Sequence, residues 1–373
     1  MDILLVTPEY PPYGSGIANV VCTLRDHMLK KNVNVNVLTR GGGDINTTSS
    51  FDILPGIAGL VPFWQKVANH VAKRGNNYDV VWLHSPLLIS ASKLRYAKKL
   101  MVSFHSTYYG FYQAYKTHAI SHLLPYYYFA TKLEHHLLNQ LSHNDEVIIT
   151  ATSPSVAEEL QQNGLSLFPH IITQGLEIKH HTSDKYRSRE FLQRRHSLYF
   201  SEDDLILLYI GRITEVKQTL LLIDLFKVIN SFEPNIHLVM VGSGNLFKKL
   251  KKKATRLSNI HMLGHISHKS LSLFLDAADA FISLSCYESA PLSVLEAASF
   301  NLPLILSNIP AHRYIVKSKI VPSVLVSSHD PSVLDIMSFL KSKVKKSTIK
   351  SRYNNYYFTW DDVVAQYLKL ASS

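Results

Sequence analysis

Short apolar runs recur along this 373-residue chain at intervals that leave room for one helix between neighbours. An apolar run at Asp2–Thr7 is followed by VNVNVLT (33–39), DVVWLH (79–84), LMVSFH (100–105), EVIITAT (146–152) and HIITQG (170–175). Between the first two, Ile17, Val20, Val21, Leu24 and Met28 recur at helical spacing. Strands that alternate with helices form βαβ units, whose parallel sheet is covered on both faces. A polar, charged stretch, HHTSDKYRSREFLQRR (180–195), reads as a linker. The alternation then restarts with DLILLYIG (204–211), a helix near 218–231, NIHLVMVG (235–242), DAFISLS (279–285), LPLILSN (302–308) and PSVLVSS (322–328). The last segment, TWDDVVAQYLKLA (359–371), predicts an amphipathic helix with Thr359 at its N-cap and Asp361 and Asp362 in its first turn. The pattern predicts an α/β protein of two doubly wound domains, and the length suits two of ~180 residues each.

Composition removes several function classes. With 46% hydrophobic and 18% charged residues, the chain can fill two cores and is not disordered. Two cysteines, Cys22 and Cys286, exclude a disulfide scaffold and a Cys-rich zinc module, and fit a reducing compartment. No apolar window is long enough to predict a membrane span, and the N-terminal MDILLVTPEY reads as a first strand, not a signal peptide. The expected location is the cytoplasm.

The net charge of +11 is concentrated in the second half. Residues 1–180 hold 14 basic against 12 acidic side chains, a net of +2. Residues 181–373 hold 25 against 16, a net of +9. FKKLKKKATR (247–256) and KSKVKKSTIKSR (341–352) supply much of the excess. Such clusters suit either a solvated lysine face or an anionic membrane surface. No aromatics are interleaved with them, which argues against nucleic acid as a partner.

Three motifs fall where chemistry is expected. Gly14-Ser15-Gly16 lies between the first strand and first helix, but Asn19 replaces the third glycine of a dinucleotide fingerprint. The motif reads as a surface loop or as backbone N–H groups offered to a phosphate or hydroxyl. Gly211-Arg212-x4-Lys217 follows the first strand of the second half. Its cations emerge at the carboxyl end of the sheet, where open α/β folds bind ligands, and would suit a diphosphate or simply water. Glu288 and Glu296 flank the start of a helix predicted to begin near 290, with Pro291 at its first turn. Such a helix end attracts anions, and Glu296 can lean back toward it to hold a diol. His105 ends the run LMVSFH on the same kind of edge, as a core histidine or a ligand contact. HAISH places His118 and His122 on one helix face without the glutamate of a zinc motif, and the chain has no Asp-x-Asp.

In combination these residues resemble the retaining glycosyltransferases of GT-B fold, family 4-like or group 1. The similarity covers nearly the whole chain: PEYPPYGSGIANV, SFHS, ITQGLE, LLYIGRITEVK, LVMVGSGNL, MLGHISHKSLSLFLDAADAFISLS, YESAPLSVLEAAS and FTWDDVVAQYL. It implies two Rossmann-like domains facing each other across a cleft. These would be an acceptor domain over 1–178, a donor domain over 179–357, and a C-terminal helix over 358–373 crossing back to the first.

By the same resemblance, Arg212 and Lys217 bind the diphosphate and stabilise its departing charge. Glu288 holds the donor sugar, Glu296 the ribose, and His105 contacts the sugar from the other domain. Gly16, Gly242, Ile266, Leu292 and Ser293 complete the donor site, and Gly14, Ser15, Tyr108 and Tyr109 fall on the acceptor side. The implied activity is metal-independent transfer, with retention, from a UDP- or GDP-sugar to a glycan or lipid-linked acceptor. No cofactor is implied.

Two positions depart from the family pattern. Ser289-Ala290-Pro291 stands where Gly-Phe-Gly is usual, which moves the expected phosphate contacts to Leu292 and Ser293. Asn301 replaces the glycine after the following helix, and asparagine is the non-glycine residue best suited to a left-handed turn. Residues 108–129 carry seven Tyr and two Phe, suited to sugar faces, a membrane interface or ordinary packing. A nucleotide-sugar 2-epimerase and a catalytically silent subunit of a glycan-synthesis complex are the competing readings.

Overall fold

The computed structural model describes residues 1–12, 16–47, 57–87, 91–144, 146–176, 185–255, 257–344 and 358–373. The chain divides into two compact units, one of residues 1–175 and 358–373, the other of residues 176–357. Each is built on one parallel sheet.

The first unit holds β1 (Asp2–Val6), β2 (Asn34–Thr39), β3 (Ile45–Asn46), β4 (Val80–His84), β5 (Leu100–Phe104), β6 (Val147–Ala151) and β7 (His170–Ile171). Their order across the sheet is β3-β2-β1-β4-β5-β6-β7. The strand period of two explains the two layers of core: Leu4 and Val6 pack with Phe63, Trp64 and Leu138 on one face. Ile3 and Leu5 pack with Val21, Leu24, Trp360 and Val364 on the other. The latter face is covered by helices Gly16–Lys30 and Trp360–Ser372.

The terminal helix begins as its sequence predicts. Thr359 accepts from the Asp362 N–H, and Asp362 accepts from the Thr359 N–H, closing a capping box. A Cβ on Gly175 would come within 2.7 Å of Trp360 N, so the chain can pass the helix start only with glycine there.

The second unit holds β8 (Leu205–Ile210), β9 (Ile236–Val241), β10 (Ile260–Gly264), β11 (Ala280–Ser283), β12 (Leu304–Ser307) and β13 (Ser323–Val326). The order is β10-β9-β8-β11-β12-β13. Leu207 and Tyr209 face one core layer and Ile206 and Leu208 the other. In both sheets the strand order reverses direction once, between β1 and β4 and between β8 and β11. Such switch points open a crevice at the carboxyl edge.

Two expectations are corrected. Of the stretch 180–195 read as linker, 180–184 lie outside the described residues, and the rest falls in a helix, Lys185–His196. Its low hydrophobicity hides a narrow inner face: Ser188 and Leu192 are buried, and Lys185 and Arg189 both pair with the buried Asp279. That carboxylate in turn accepts from the Ile206 N–H at 2.6 Å, tying the helix to β8. The helix expected near 290 starts at Leu292, with Pro291 as its cap and not inside it. Asn301 takes the left-handed conformation at φ 57°, as its replacement of glycine predicts. Among the described residues, no helix is long and apolar enough to cross a membrane.

Candidate active site

In the second unit, the turns after β8, β9 and β11 meet at the switch point. Gly211 donates its N–H to Val241 O, and Gly242 donates to Gly264 O at 2.7 Å. Gly242 has φ 137°, and a Cβ there would lie 1.9 Å from Gly211 O. Only glycine lets these turns interlock. Tyr209, fully buried, donates its hydroxyl to Arg212 O at 2.8 Å and so fixes the backbone from which Arg212 projects. The Arg212 side chain is exposed and has no hydrogen bond or ion pair among the described residues.

Lys217, at the end of a short 3-10 turn, reaches Glu288 after β11, with Nζ 2.5 Å from Oε1. Ser285 Oγ donates to the same oxygen at 2.7 Å. Behind them, Ser307 Oγ donates to Ser285 O at 2.6 Å and sits 3.1 Å from His312 Nδ1. Burial alone would raise the Glu288 carboxyl. Lys217 and His312 outweigh it, with hydrogen bonds from Lys217 and Ser285, and hold the group below its ordinary range. His312 is fully buried and pushed down to about 4 by desolvation, so it stays neutral at pH 7. Cys286, between the two sites of contact, is pushed up to about 12, first by burial, and is inert as a nucleophile.

Glu296 lies on the second turn of the Leu292–Ser299 helix and is nearly buried. His268 Nε2 approaches its Oε1 at 2.9 Å. The Leu292 N–H is taken by Ala290 O at 2.9 Å, leaving Ser293 as the helix-start amide with no hydrogen bond among the described residues. Ile266 is partly buried against the core below this edge.

In the first unit, His105 follows β5 and is 3% exposed. Its backbone amide donates to Ser85 Oγ at 3.2 Å, and its carbonyl accepts from Thr152 Oγ1 at 3.3 Å. Its ring lies against His84, with Nε2 2.9 Å from His84 Nδ1. Desolvation pushes His105 down to about 4. Gly16 opens its helix with nothing within 4 Å of where a Cβ would stand, so packing alone does not demand glycine there. Gly14 and Ser15 lie outside the described residues.

Tyr108 and Tyr109 begin helix Tyr108–Thr117, and both N–H groups donate to the buried Glu134 carboxylate, at 2.9 and 3.0 Å. Tyr108 and Glu134 line a pocket with Glu9, Ser85 and Ser106. Tyr109 instead faces a groove shared with Tyr112, Tyr128 and Lys132. His118 ends the helix, its Nδ1 2.9 Å from Ala114 O, and no cluster able to hold a metal occurs among the described residues.

Thus Arg212, Lys217, Gly242, Glu288, Leu292, Ser293 and Glu296 gather on the carboxyl edge of the second sheet. The sequence reading missed Ser285, Ser307, His312 and His268, which carry no motif. It also passed over His84, although VVWLH and VSFH both end in histidine on adjacent strands. Glu134 was hidden in an amphipathic helix as one more charge.

Two open parallel sheets in the strand order of nucleotide-binding folds, with cations and acids at the switch point of the second, provide a site suited to an anionic ligand. The description "Glycosyl transferases group 1" matches residues 191–354, and "Glycosyltransferase Family 4" matches residues 14–176. The chain belongs to the group 1 glycosyltransferases of GT-B fold, and is a transferase enzyme. It is 23% identical over 343 residues to the alpha-monoglucosyldiacylglycerol synthase of Streptococcus pneumoniae R6, spanning 88% of this chain and 76% of that one. Sucrose-phosphate synthase from Thermosynechococcus elongatus superposes with a TM-score of 0.75 at 18% identity, over 100% of this chain and 98% of that one. Anabaena HepE, solved in complex with UDP and glucose, gives 0.67 at 15% identity, over 100% and 99%.

Proposed function

We propose that this enzyme transfers a hexose, with retention, from a UDP-sugar to a hydroxyl of a glycolipid or other lipid-linked acceptor at the cytoplasmic face of a membrane. The observation that carries the donor half is the Lys217–Glu288 pair at 2.5 Å on the switch point of the second sheet, with Arg212 exposed beside it. A diphosphate entering there meets one cation already fixed by an acid and one free to swing onto its oxygens. Fixed charge aimed at a developing phosphate charge lowers the barrier, and one such donor is worth roughly 3 kcal/mol. Glu288, once Lys217 turns to the diphosphate, keeps Ser285 and gains a sugar hydroxyl. Ser293 N–H meets a phosphate oxygen and Glu296 the ribose diol; in the first unit, His105 is the proposed contact for a sugar hydroxyl. Because Arg212 and Lys217 supply the countercharge, the reaction needs no metal. UDP as carrier is supported by the ligand of the HepE neighbour.

The acceptor half rests on the name of the pneumococcal relative and on the hairpin of helices Tyr108–Thr117 and Leu124–Leu141. Phe111, Tyr115 and Tyr127 pack among themselves, but Tyr128 and Phe129 are 51% and 56% exposed, with Lys132 Nζ 5.5 Å from the centroid of the Tyr128 ring. Exposed rings beside cations suit a lipid headgroup layer.

Thermal unfolding with UDP, GDP and ADP tests the donor. A nucleotide at ~100 times its Kd adds about 2.7 kcal/mol, several degrees for a chain of this size. A shift with UDP alone is expected, followed by transfer from UDP-glucose to vesicles containing diacylglycerol and monoglucosyldiacylglycerol. No shift with any nucleotide would move the enzyme's donor site elsewhere. Sedimentation with anionic vesicles tests the membrane face, and binding that ignores salt or fails altogether would count against it.

A further inference from the structure

His84 and His105 form a buried pair at the carboxyl ends of β4 and β5, the former fully buried and the latter 3% exposed. Their rings lie edge to edge, 14° from coplanar with centroids 5.2 Å apart, and His84 Nδ1 lies 2.9 Å from His105 Nε2. Aromatic contacts continue inward. Trp82, two residues back on β4, lies 4.8 Å from the His84 ring, and Tyr367 of the terminal helix lies 4.5 Å from Trp82. Trp82 Nε1 donates to Ser103 Oγ at 2.7 Å, which locks that ring in turn. His84 is therefore clamped between Trp82 and His105, and has no room to turn.

One N–H is shared across the pair. If His84 Nδ1 carries it, His105 must carry its own proton on Nδ1; if His105 Nε2 carries it, His105 Nδ1 is a bare acceptor. The state of His84 thus dictates whether His105 offers a donor or an acceptor. Both outer nitrogens, His105 Nδ1 and His84 Nε2, are buried without a partner among the described residues. An unpaired buried nitrogen is costly, and a fold that keeps two on a ligand-binding edge has a use for them when a ligand is bound. Desolvation keeps both rings neutral at pH 7, so no charge competes with this tautomer control.

We propose that His84 is a positioning residue: through the shared in-plane N–H it fixes the tautomer and plane of His105, which presents its Nδ1 to a sugar hydroxyl. The proposal rests on the role given to His105 above. Its geometry is that of an orienting partner one step behind a ligand contact, the arrangement that keeps reacting groups in register.

The test uses the full chain labelled with 15N-histidine, with UDP-glucose as probe. Ring nitrogen shifts report each tautomer directly, with or without activity. His84→Phe keeps an aromatic ring against Trp82 and removes the shared N–H, whereas His84→Asn keeps an amide near the position of Nδ1. A single His105 tautomer is expected in the wild type, a mixture in His84→Phe, and a single form again in His84→Asn. Transfer should fall roughly 10- to 100-fold in kcat for His84→Phe with little change in KM, and recover most of the way in His84→Asn. In a His105→Ala background, His84→Phe should cost nothing further. Unchanged His105 shifts in His84→Phe, or equal losses in both backgrounds, would overturn the proposal. Full activity of His105→Ala with altered shifts in His84→Phe would instead overturn the role of His105. If His84→Phe does not fold, two His105 tautomers in the wild type or no rescue by His84→Asn still decides against it.

Discussion

Lys217 Nζ lies 2.5 Å from Glu288 Oε1, an ion pair between residues 71 positions apart that joins the turns after two adjacent strands. Both side chains are largely buried, so each depends on the other. Removing Lys217 leaves a buried carboxylate with only the Ser285 hydroxyl bonded to it. Lys217→Met should destabilise the protein by about 3 kcal/mol, as expected for one half of a buried pair. Lys217→Met with Glu288→Gln should recover much of that loss in chemical denaturation while transfer stays abolished. If the single variant is as stable as the wild type, the pair has no structural role and belongs to donor binding alone.

Arg212 gives the opposite signature. Its side chain is exposed and unpaired among the described residues, so Arg212→Ala should leave stability within about 0.5 kcal/mol. The UDP-induced rise in melting temperature should disappear, and kcat/KM should fall by about 100-fold or more. A normal UDP shift in this variant would assign the diphosphate to other groups.

The proposed metal independence rests on the same two cations. Transfer measured in excess EDTA should equal that in magnesium or manganese. Loss of activity in EDTA with recovery on adding one of these ions would show that Arg212 and Lys217 do not suffice.

Gly242 carries a structural prediction that needs no substrate. At φ 137°, with a Cβ 1.9 Å from Gly211 O, neither the conformation nor the space accepts alanine. Gly242→Ala must push the turn after β9 off the turn after β8. It should cost at least about 1–3 kcal/mol and weaken UDP binding together with stability. Wild-type stability in Gly242→Ala would mean that the two turns do not interlock in solution.

The strands were readable because both faces of a parallel sheet are buried, which turns DVVWLH and DLILLYIG into unbroken apolar runs. β10 was not readable: IHMLG carries a histidine and ends in a glycine, and four of its five residues are only partly buried. The Lys185–His196 helix was mistaken for a linker because its stability comes from Asp279, more than eighty residues away, and not from an apolar face. The same division holds in the site. Arg212, Lys217, Glu288 and Glu296 stand at spacings that local chemistry explains. His312 and Ser307 reach Glu288 only through folding, and no periodicity marks them. His84 looked like the last residue of a strand because a buried neutral histidine leaves the same trace as any core residue.

Glu134 offers a test of electrostatics in pH alone. Burial raises its carboxyl to about 7, against the Tyr108 and Tyr109 amides that lower it, with Glu159 adding to the rise. Between its ordinary value and about 7 the native state holds a proton that the unfolded chain has released. The stability this group contributes is therefore full at low pH and lost as pH rises through 7. His84, His105 and His312 act with the opposite sign. Their native values are depressed, those of His105 and His312 to about 4, so the unfolded chain binds more protons below about 6.5 and stability falls as pH drops from there. Glu134→Gln removes only the first effect. Losing one acceptor for the amides shifts the variant by an amount that does not depend on pH. Relative to the wild type, the variant should thus gain stability between pH 5 and 8, on the order of 3 kcal/mol across the window. Melting curves for the two proteins that stay parallel over this range would mean Glu134 is ionised throughout, held by the helix start alone.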